Sequence, residues 1–379
     1  MKIDLERIIS LRHKLHSIAE LSGEEVETSN LIYSFLEEHK PSQLLRLSKN
    51  GLLAIYKGQS KGPSILLRAD MDALPIDEDN DFEYKSKNNG VSHKCGHDGH
   101  SAILCALAME LHLNPIKKGR VLLLFQPAEE TGEGAQWMLD DPQLSEQKID
   151  MAFALHNLPG YQKNEIVYRT GSFSCGVISI IVSLKGKTAH AGQPQSGINP
   201  AGLIGKIIAK GAELTHEVIE DENYSLITPI FGNFGTKAYG TAAGKGEVHF
   251  TIRARRTVIL RKLLETFESY IKEEAGKEGL KCKITRLQEF FSTNNDEASV
   301  ALLKEAADRA GLNIQERMYP FRWGEDFGRI VRKYSGALFG LGAGKNMPEL
   351  HNQDYDFPDE IIGAGKDIFN EILNVSKMR

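Results

Sequence analysis

Cysteine is scarce in this chain of 379 residues: four, at positions 95, 105, 175 and 282. That is too few and too scattered for a disulfide framework, and Cys105, inside the apolar run 102–107, reads as a buried thiol. No uncharged stretch approaches the roughly 18 residues of a membrane span, and the N-terminal Met1–Arg7 segment carries charge at once, without the apolar core of a signal peptide. The expectation is a cytoplasmic protein that neither enters nor crosses a membrane. An excess of positive charge is also missing. The 46 Lys+Arg against 51 Asp+Glu leave a net charge of −5, which argues against broad attraction to nucleic acid or anionic lipid. Small anionic substrates stay open, because local basic residues matter more than the total. Several motifs are absent as well. There is no Gly-x-x-x-x-Gly-Lys-Ser/Thr phosphate loop, no Gly-x-Ser-x-Gly nucleophile elbow and no deaminase-type Cys-x-x-Cys, and the glycines at 340, 342 and 344 lack dinucleotide spacing. No internal repeat or low-complexity tract appears.

What is present is a recurrence of thiolate, imidazole and carboxylate at the ends of apolar segments. Cys95-Gly96-His97-Asp98-Gly99-His100 places a thiol and an imidazole two residues apart, with glycines that permit tight backbone between them. The apolar run 121–125 ends in Gln126-Pro127-Ala128-Glu129-Glu130, and His156 and His351 follow later. Adjacent carboxylates diverge, so one can bind metal while the other moves protons, a pairing that hydrolytic metal chemistry needs. The isolated His16, His39, His112, His216 and His249 read as structural.

The length suggests about two domains. Up to about residue 160, helices and strands alternate. Apolar spacing predicts a helix from Leu5 to Ile18, and Ser22 with Glu25 three later resembles a capping box opening a helix through Phe35. Strands are expected at 52–56, 64–67, 121–125 and 151–155, with a helix over 99–113. Such alternation implies an α/β layer architecture, whose ligands collect beyond the carboxyl ends of strands. Asp70 and Asp72, Glu129 and Glu130, His156, and His351 after a strand at 337–341 all sit at such ends. Between 172 and 290 the order becomes strand (173–184), helix (199–219), strand (226–232), strand (247–254), helix (258–279), strand (281–290). That is the split ferredoxin-like α+β unit. The expected fold is therefore a catalytic α/β domain, residues 1–171 and 291–379, interrupted by an inserted ferredoxin-like α+β unit, 172–290.

The motifs Arg68-Ala69-Asp70-Met71-Asp72-Ala73-Leu74-Pro75, Cys95–His100, Gln126–Glu130, His156 before Pro159, Gly186-Lys187-Thr188-Ala189-His190, Gly324-Glu325-Asp326-Phe327 and Leu350-His351 resemble, in order and over nearly the whole chain, the M20 metallopeptidases. The likeness is to their amidohydrolase branch of N-acyl-amino-acid amidohydrolases, hippurate hydrolases, acetyldiaminopimelate deacetylases and auxin-conjugate hydrolases. It implies Cys95, His97, Glu130, His156 and His351 as metal ligands and Glu129 as general base. It further implies that the inserted unit, 172–290, is a lid or dimerisation domain, with His190 as an oxyanion donor, often across a dimer interface, and hence a homodimer. One divalent ion, or two sharing Cys95, would fit; sulfur with imidazole favours zinc, and manganese, cobalt or nickel could substitute. Asp72 is expected to fix a ligand imidazole such as His97, Asp70 to do likewise or cap the following helix, and Asp98 to be that helix's N-cap. Arg253, with Arg255, is a candidate for holding a substrate carboxylate.

The implied reaction is hydrolysis of the amide of an N-acyl amino acid. The alternatives are a dipeptidase of the same fold and a non-catalytic metal-binding protein. One departure stands out. Where the family has an asparagine near Gly240, this chain reads Tyr239-Gly240-Thr241-Ala242-Ala243-Gly244, which leaves the substrate open.

Overall fold

The computed structural model describes residues 3–379, so Met1 and Lys2 of the charged N-terminal segment lie outside the described residues. The chain divides into two compact units. One comprises the chain up to Phe173 with Thr293–Met318 and Asp326–Arg379; the other comprises Ser174–Ser292 and Tyr319–Glu325.

The first unit is built on an eight-stranded sheet in the order Gln43–Arg46, Leu52–Lys57, Lys118–Gln126, Ser60–Asp70, Met151–Pro159, Gly336–Gly344, Ile166–Tyr168, Ile314–Glu316. Its four middle strands, from Lys118–Gln126 to Gly336–Gly344, are mutually parallel. Parallel strands are covered on both faces, which explains their unbroken apolar runs. Val121 to Phe125, for example, is wholly buried. Each such side chain contributes roughly 1.5–3 kcal/mol on leaving water. The helix His97–Leu113 packs beneath, with Leu5–Ser17 and Ile362–Val375 against it. Nearly every side chain of that central helix is buried, so it is enclosed on all sides, with polar His97, Asp98 and His100 in its first turn and a mostly apolar stretch from Ala102 to Met109.

From Ser60–Asp70 the chain crosses to Lys118–Gln126 on one side, then returns past it to Met151–Pro159 on the other. This reversal opens a crevice at the carboxyl ends of the two neighbouring strands. The expected α/β class holds, and the sheet places Asp70, Gln126, His156 and Gly344 along one edge.

The second unit is a four-stranded antiparallel sheet in the order Ser225–Phe234, Lys245–Ala254, Gly176–Lys185, Lys281–Phe290. Alternation is clean: Ile178, Ile180, Val182 and Leu184 face the helices Ala201–Leu214 and Thr257–Lys277, packing on Leu203, Ile207, Leu264 and Phe267. This is the β-α-β-β-α-β arrangement the spacing predicts. Tyr319–Glu325 joins it through Cys175 N–H donating to the Phe321 carbonyl, which sequence order does not disclose.

Three local expectations are corrected. The helix expected over 199–219 ends at Leu214, because the next residues turn to the sheet edge: Ile227 N–H donates to Thr215 Oγ1 and His216 bridges Ser225. Ser22 is not a helix cap; the helix Val26–Glu38 has Glu25 at its N-cap position, its side chain making no capping bond, and the Ser22 hydroxyl donates to Asp72 Oδ2 at 2.6 Å. Asp98 does not cap the central helix either. Gly96 holds that position in left-handed conformation, while Asp98 lies in the first turn and binds His16 and Arg12.

Candidate metal centre

Two tight backbone turns aim the side chains. Gly96, at φ +89°, reverses the chain between Cys95 and His97, and a Cβ there would sit 2.7 Å from the Asn157 side chain. Beyond Gln126, Ala128 adopts φ +54°, held by its N–H donating to Glu25 Oε1 at 2.8 Å. A non-glycine residue in that conformation costs roughly 1–2 kcal/mol, and here it separates Glu129 from Glu130 at the strand end. His351 is also left-handed, at φ +68°, and its N–H donates to the Lys94 carbonyl, one residue before Cys95. Lys94 itself is buried, with its ammonium on Glu78, Asn80 and the Tyr355 carbonyl.

These turns bring donor atoms together in overlapping sets, each lying within 4.8 Å: Cys95, His97 and His156; Cys95, Glu130 and His351; His97, Glu129 and Glu130; Asp70, His97 and His100. Cys95 Sγ is 3.5 Å from His156 Nε2. His351 Nε2 and His97 Nε2 lie 3.7 and 3.8 Å from Glu130 Oε1. His351 is half exposed and Glu130 is partly buried, while Cys95, His97 and His156 are buried, so the cluster opens to solvent on the His351 side.

Hydrogen bonding decides which atoms are free. His97 Nδ1 is 2.9 Å from the Asp72 carbonyl and 3.2 Å from Asp72 Oδ1, so it donates there and Nε2 is the ring atom turned to the cluster. His156 Nδ1 faces the Asn157 carbonyl at 2.9 Å, which turns its Nε2 towards Cys95 Sγ. Orienting partners of this kind fix the tautomer a metal requires. Asp70, by contrast, is committed: Oδ2 accepts from Arg68 at 2.6 Å and Oδ1 from His100 Nδ1 at 2.5 Å. His100 is held between Asp70 and Asn157, so neither residue offers a spare atom. Two buried atoms of the cluster, His97 Nε2 and Glu130 Oε1, have no hydrogen-bond partner among the described residues. Such orphans are costly in a protein interior and common where a cation belongs.

The charges point the same way. Burial would lower the His97 pKa, yet Asp70, Asp72 and Glu130 outweigh it and hold the ring up at about 10. Burial pushes Glu130 up to about 7 against the pull of His97, and burial with the Glu130, Glu129 and Asp70 charges raises the Cys95 thiol well above its ordinary value. A divalent cation suits a set that is rich in carboxylates and whose thiol needs positive charge to ionise.

Glu129 is buried and accepts from Asp326 N–H at 3.2 Å. The Asp326 carboxylate is itself fixed by Arg68, Gln126 and Ala135 N–H at 2.7–2.9 Å. Arg68, Gln126 and Asp326 lie within the resembling motifs, but their role is not legible there: polar residues so far apart along the chain show their partners only once the sheet is assembled. In the second unit, His190 is exposed on a two-residue strand paired with Thr241–Ala242, beside the altered loop, and Gly192 N–H donates to its Nδ1. Arg253 donates to the Arg322 carbonyl and, among the described residues, pairs with no carboxylate, whereas Arg255 is tied to Glu222 at 2.9 Å.

The sequence pattern of Peptidase family M20/M25/M40 matches residues 66–375. The chain is 32% identical to N-acetyl-L-cysteine deacetylase of Bacillus subtilis (strain 168) over 342 residues, 89% of this chain and 80% of that protein. It is 30% identical to N-acetyldiaminopimelate deacetylase of Streptococcus uberis over 379 residues, covering 96% of each. A Bacillus subtilis structure described as a dinuclear metal binding peptidase from the M20 family superimposes with TM-score 0.83 at 27% identity, covering 99% of both chains. A structure from methicillin-resistant Staphylococcus aureus gives TM-score 0.88 at 20% identity over 99% of this chain and 97% of that one, a likeness of fold. Fold, donor set and relatives agree, and the chain belongs to Peptidase family M20/M25/M40 as a metal-dependent amidohydrolase.

Proposed function

We propose that the protein hydrolyses the amide bond of a small N-acylated amino acid. The observation that carries this reading is a buried cluster in which Cys95 is common to two donor sets, His97 Nε2 and Glu130 Oε1 are unpartnered, and an adjacent carboxylate, Glu129, is held separately by Asp326 N–H. Cys95, His97, Glu130, His156 and His351 would hold one or two divalent ions, with zinc the best match to the sulfur and imidazole donors and manganese, cobalt or nickel as substitutes. When bound, such ions supply a water of lowered pKa and polarise the amide carbonyl. Glu129 takes the proton from the attacking water and passes it to the departing amine. Asp72 orients His97.

The relatives named as deacetylases of N-acetyl-L-cysteine and N-acetyldiaminopimelate support a small acyl group on an amino acid. In the inserted unit, His190 would donate to the oxyanion and Arg253 would hold the substrate carboxylate. That unit serves as lid and as the platform of a homodimer, and the protein works in the cytoplasm. The test is a panel of N-acetyl amino acids, N-benzoyl amino acids and dipeptides, assayed before and after chelation and with each metal restored. Turnover of N-acyl amino acids that chelation removes and metal restores is expected. Turnover of dipeptides alone, or none with any metal, contradicts the reading.

A further inference from the structure

The sheet of the second unit carries a row of like charges that its packing does not explain. Lys185 stands in register with Lys245 on one neighbouring strand and with Lys281 on the other. Residues so opposed have Cβ atoms about 4.5–5.5 Å apart, and like charges at that spacing destabilise the pairing. Lys283, two residues beyond Lys281, faces the same side. Lysine on an edge strand guards against sheet-to-sheet aggregation, which accounts for Lys281 and Lys283 on Lys281–Phe290. It does not account for Lys185 and Lys245, which belong to the two interior strands.

Among the described residues, none of these four lysines takes part in an ion pair. The one carboxylate nearby, Glu247, is engaged elsewhere: Ser183 Oγ donates to one oxygen at 3.2 Å and His249 Nε2 meets the other at 2.8 Å. The lysines line an open depression of about 510 Å³ on the sheet face, which Asn233 and Glu247 also line. That volume is in the range of small-ligand sites. Because the whole chain is net negative, at −5, the basic patch is local and stands against the general charge.

We propose that this depression binds a small multiply charged anion, of phosphate or polycarboxylate chemistry, whose charge offsets the Lys245–Lys185–Lys281 row. Ammonium groups bind such anions as point charges, so recognition here is of charge and size rather than of a planar fork. No residue of the depression belongs to the candidate metal centre, and the proposal stands independently of the reaction assigned there.

The test is calorimetric titration of the metal-loaded full chain with inorganic phosphate and, separately, with succinate. Saturable binding of at least one is expected, and the tighter of the two names the chemistry. The double variant Lys185→Gln/Lys281→Gln should weaken it by at least about tenfold, since two charge-assisted contacts are lost. Cys95→Ala should leave it unchanged. Absence of saturable binding, equal affinity in the lysine variant, or loss of binding in Cys95→Ala overturns the proposal, the last by placing the anion at the metal centre instead.

Discussion

Asp72 joins two of the proposed ligands, and replacing it by asparagine probes how far the cluster depends on that junction. One carboxylate oxygen faces His97 Nδ1 at 3.2 Å; the other accepts from Ser22 Oγ at 2.6 Å and from Glu130 N–H at 3.0 Å. Burial pushes the Asp72 carboxyl up, but the His97 bond and charge, Ser22 and Glu130 N–H hold it below the ordinary carboxylate range. Asparagine keeps the shape and one acceptor, and turns the second oxygen into a donor. That donor must face either the His97 ring or the Glu130 N–H, so one ligand loses its support. Loss of an orienting partner costs about 10–100-fold in metal affinity, or roughly 1.4–2.8 kcal/mol. The Asp72 carbonyl, 2.9 Å from His97 Nδ1, still accepts from the ring, so the lower half of that range is expected. Competition of the variant against a metallochromic chelator measures the constant directly, with Ser22→Ala as the control that removes one bond but no charge. Affinity for metal equal to that of the unaltered protein would refute the argument that Asp72 orients the site.

Three other outcomes follow from the same geometry. Gly99→Ala places a Cβ 2.3 Å from the Phe357 ring, and overpacking of this kind should cost about 1–3 kcal/mol in chemical denaturation; an unchanged midpoint would mean the helix and ring separate freely. His16 is buried, which lowers its pKa, but the Asp98 charge and bonds to Asp98 and Glu78 raise it to about 9 in the folded protein. Its contribution to stability is thus fully present below about pH 6.5 and is lost as pH rises through about 9. Melting temperatures of the protein and of His16→Gln should therefore converge between those values, and parallel curves would contradict the assignment. Cys95→Ala removes the donor common to two sets and should lower metal content below that of the unaltered protein, measured by elemental analysis; full content would exclude the thiolate as a ligand.

The order of elements was readable because apolar runs and turns carry it. Val121 to Phe125 can only be a doubly covered strand, and the alternation from Ile178 to Leu184 can only face one side. The position of Glu129 and Glu130 beyond a strand was equally visible, since Pro and charge mark its end, whereas His156, expected after a strand, lies within Met151–Pro159. What the sequence hid were partners distant along the chain. Ser22 reads locally as a cap, yet the folded protein sets it on Asp72, fifty residues away. Asp98 reads as a cap too, but His16 and Arg12 claim it once the first helix packs on the central one. Arg68 and Asp326 illustrate the same limit: 258 residues separate them, and only the assembled sheet makes them a support for Glu129.

The division of labour between the two adjacent glutamates is the centre of the account, and Glu129→Gln tests it most directly. The substitution keeps the side chain's size and removes its ability to take a proton, while leaving Cys95, His97, Glu130, His156 and His351 intact. Metal content should stay near that of the unaltered protein, and kcat for an N-acetyl amino acid should fall by about 10²–10⁴-fold. Loss of metal in this variant, or turnover close to normal, would show that Glu129 is a ligand or a bystander and that the proton is moved by another group.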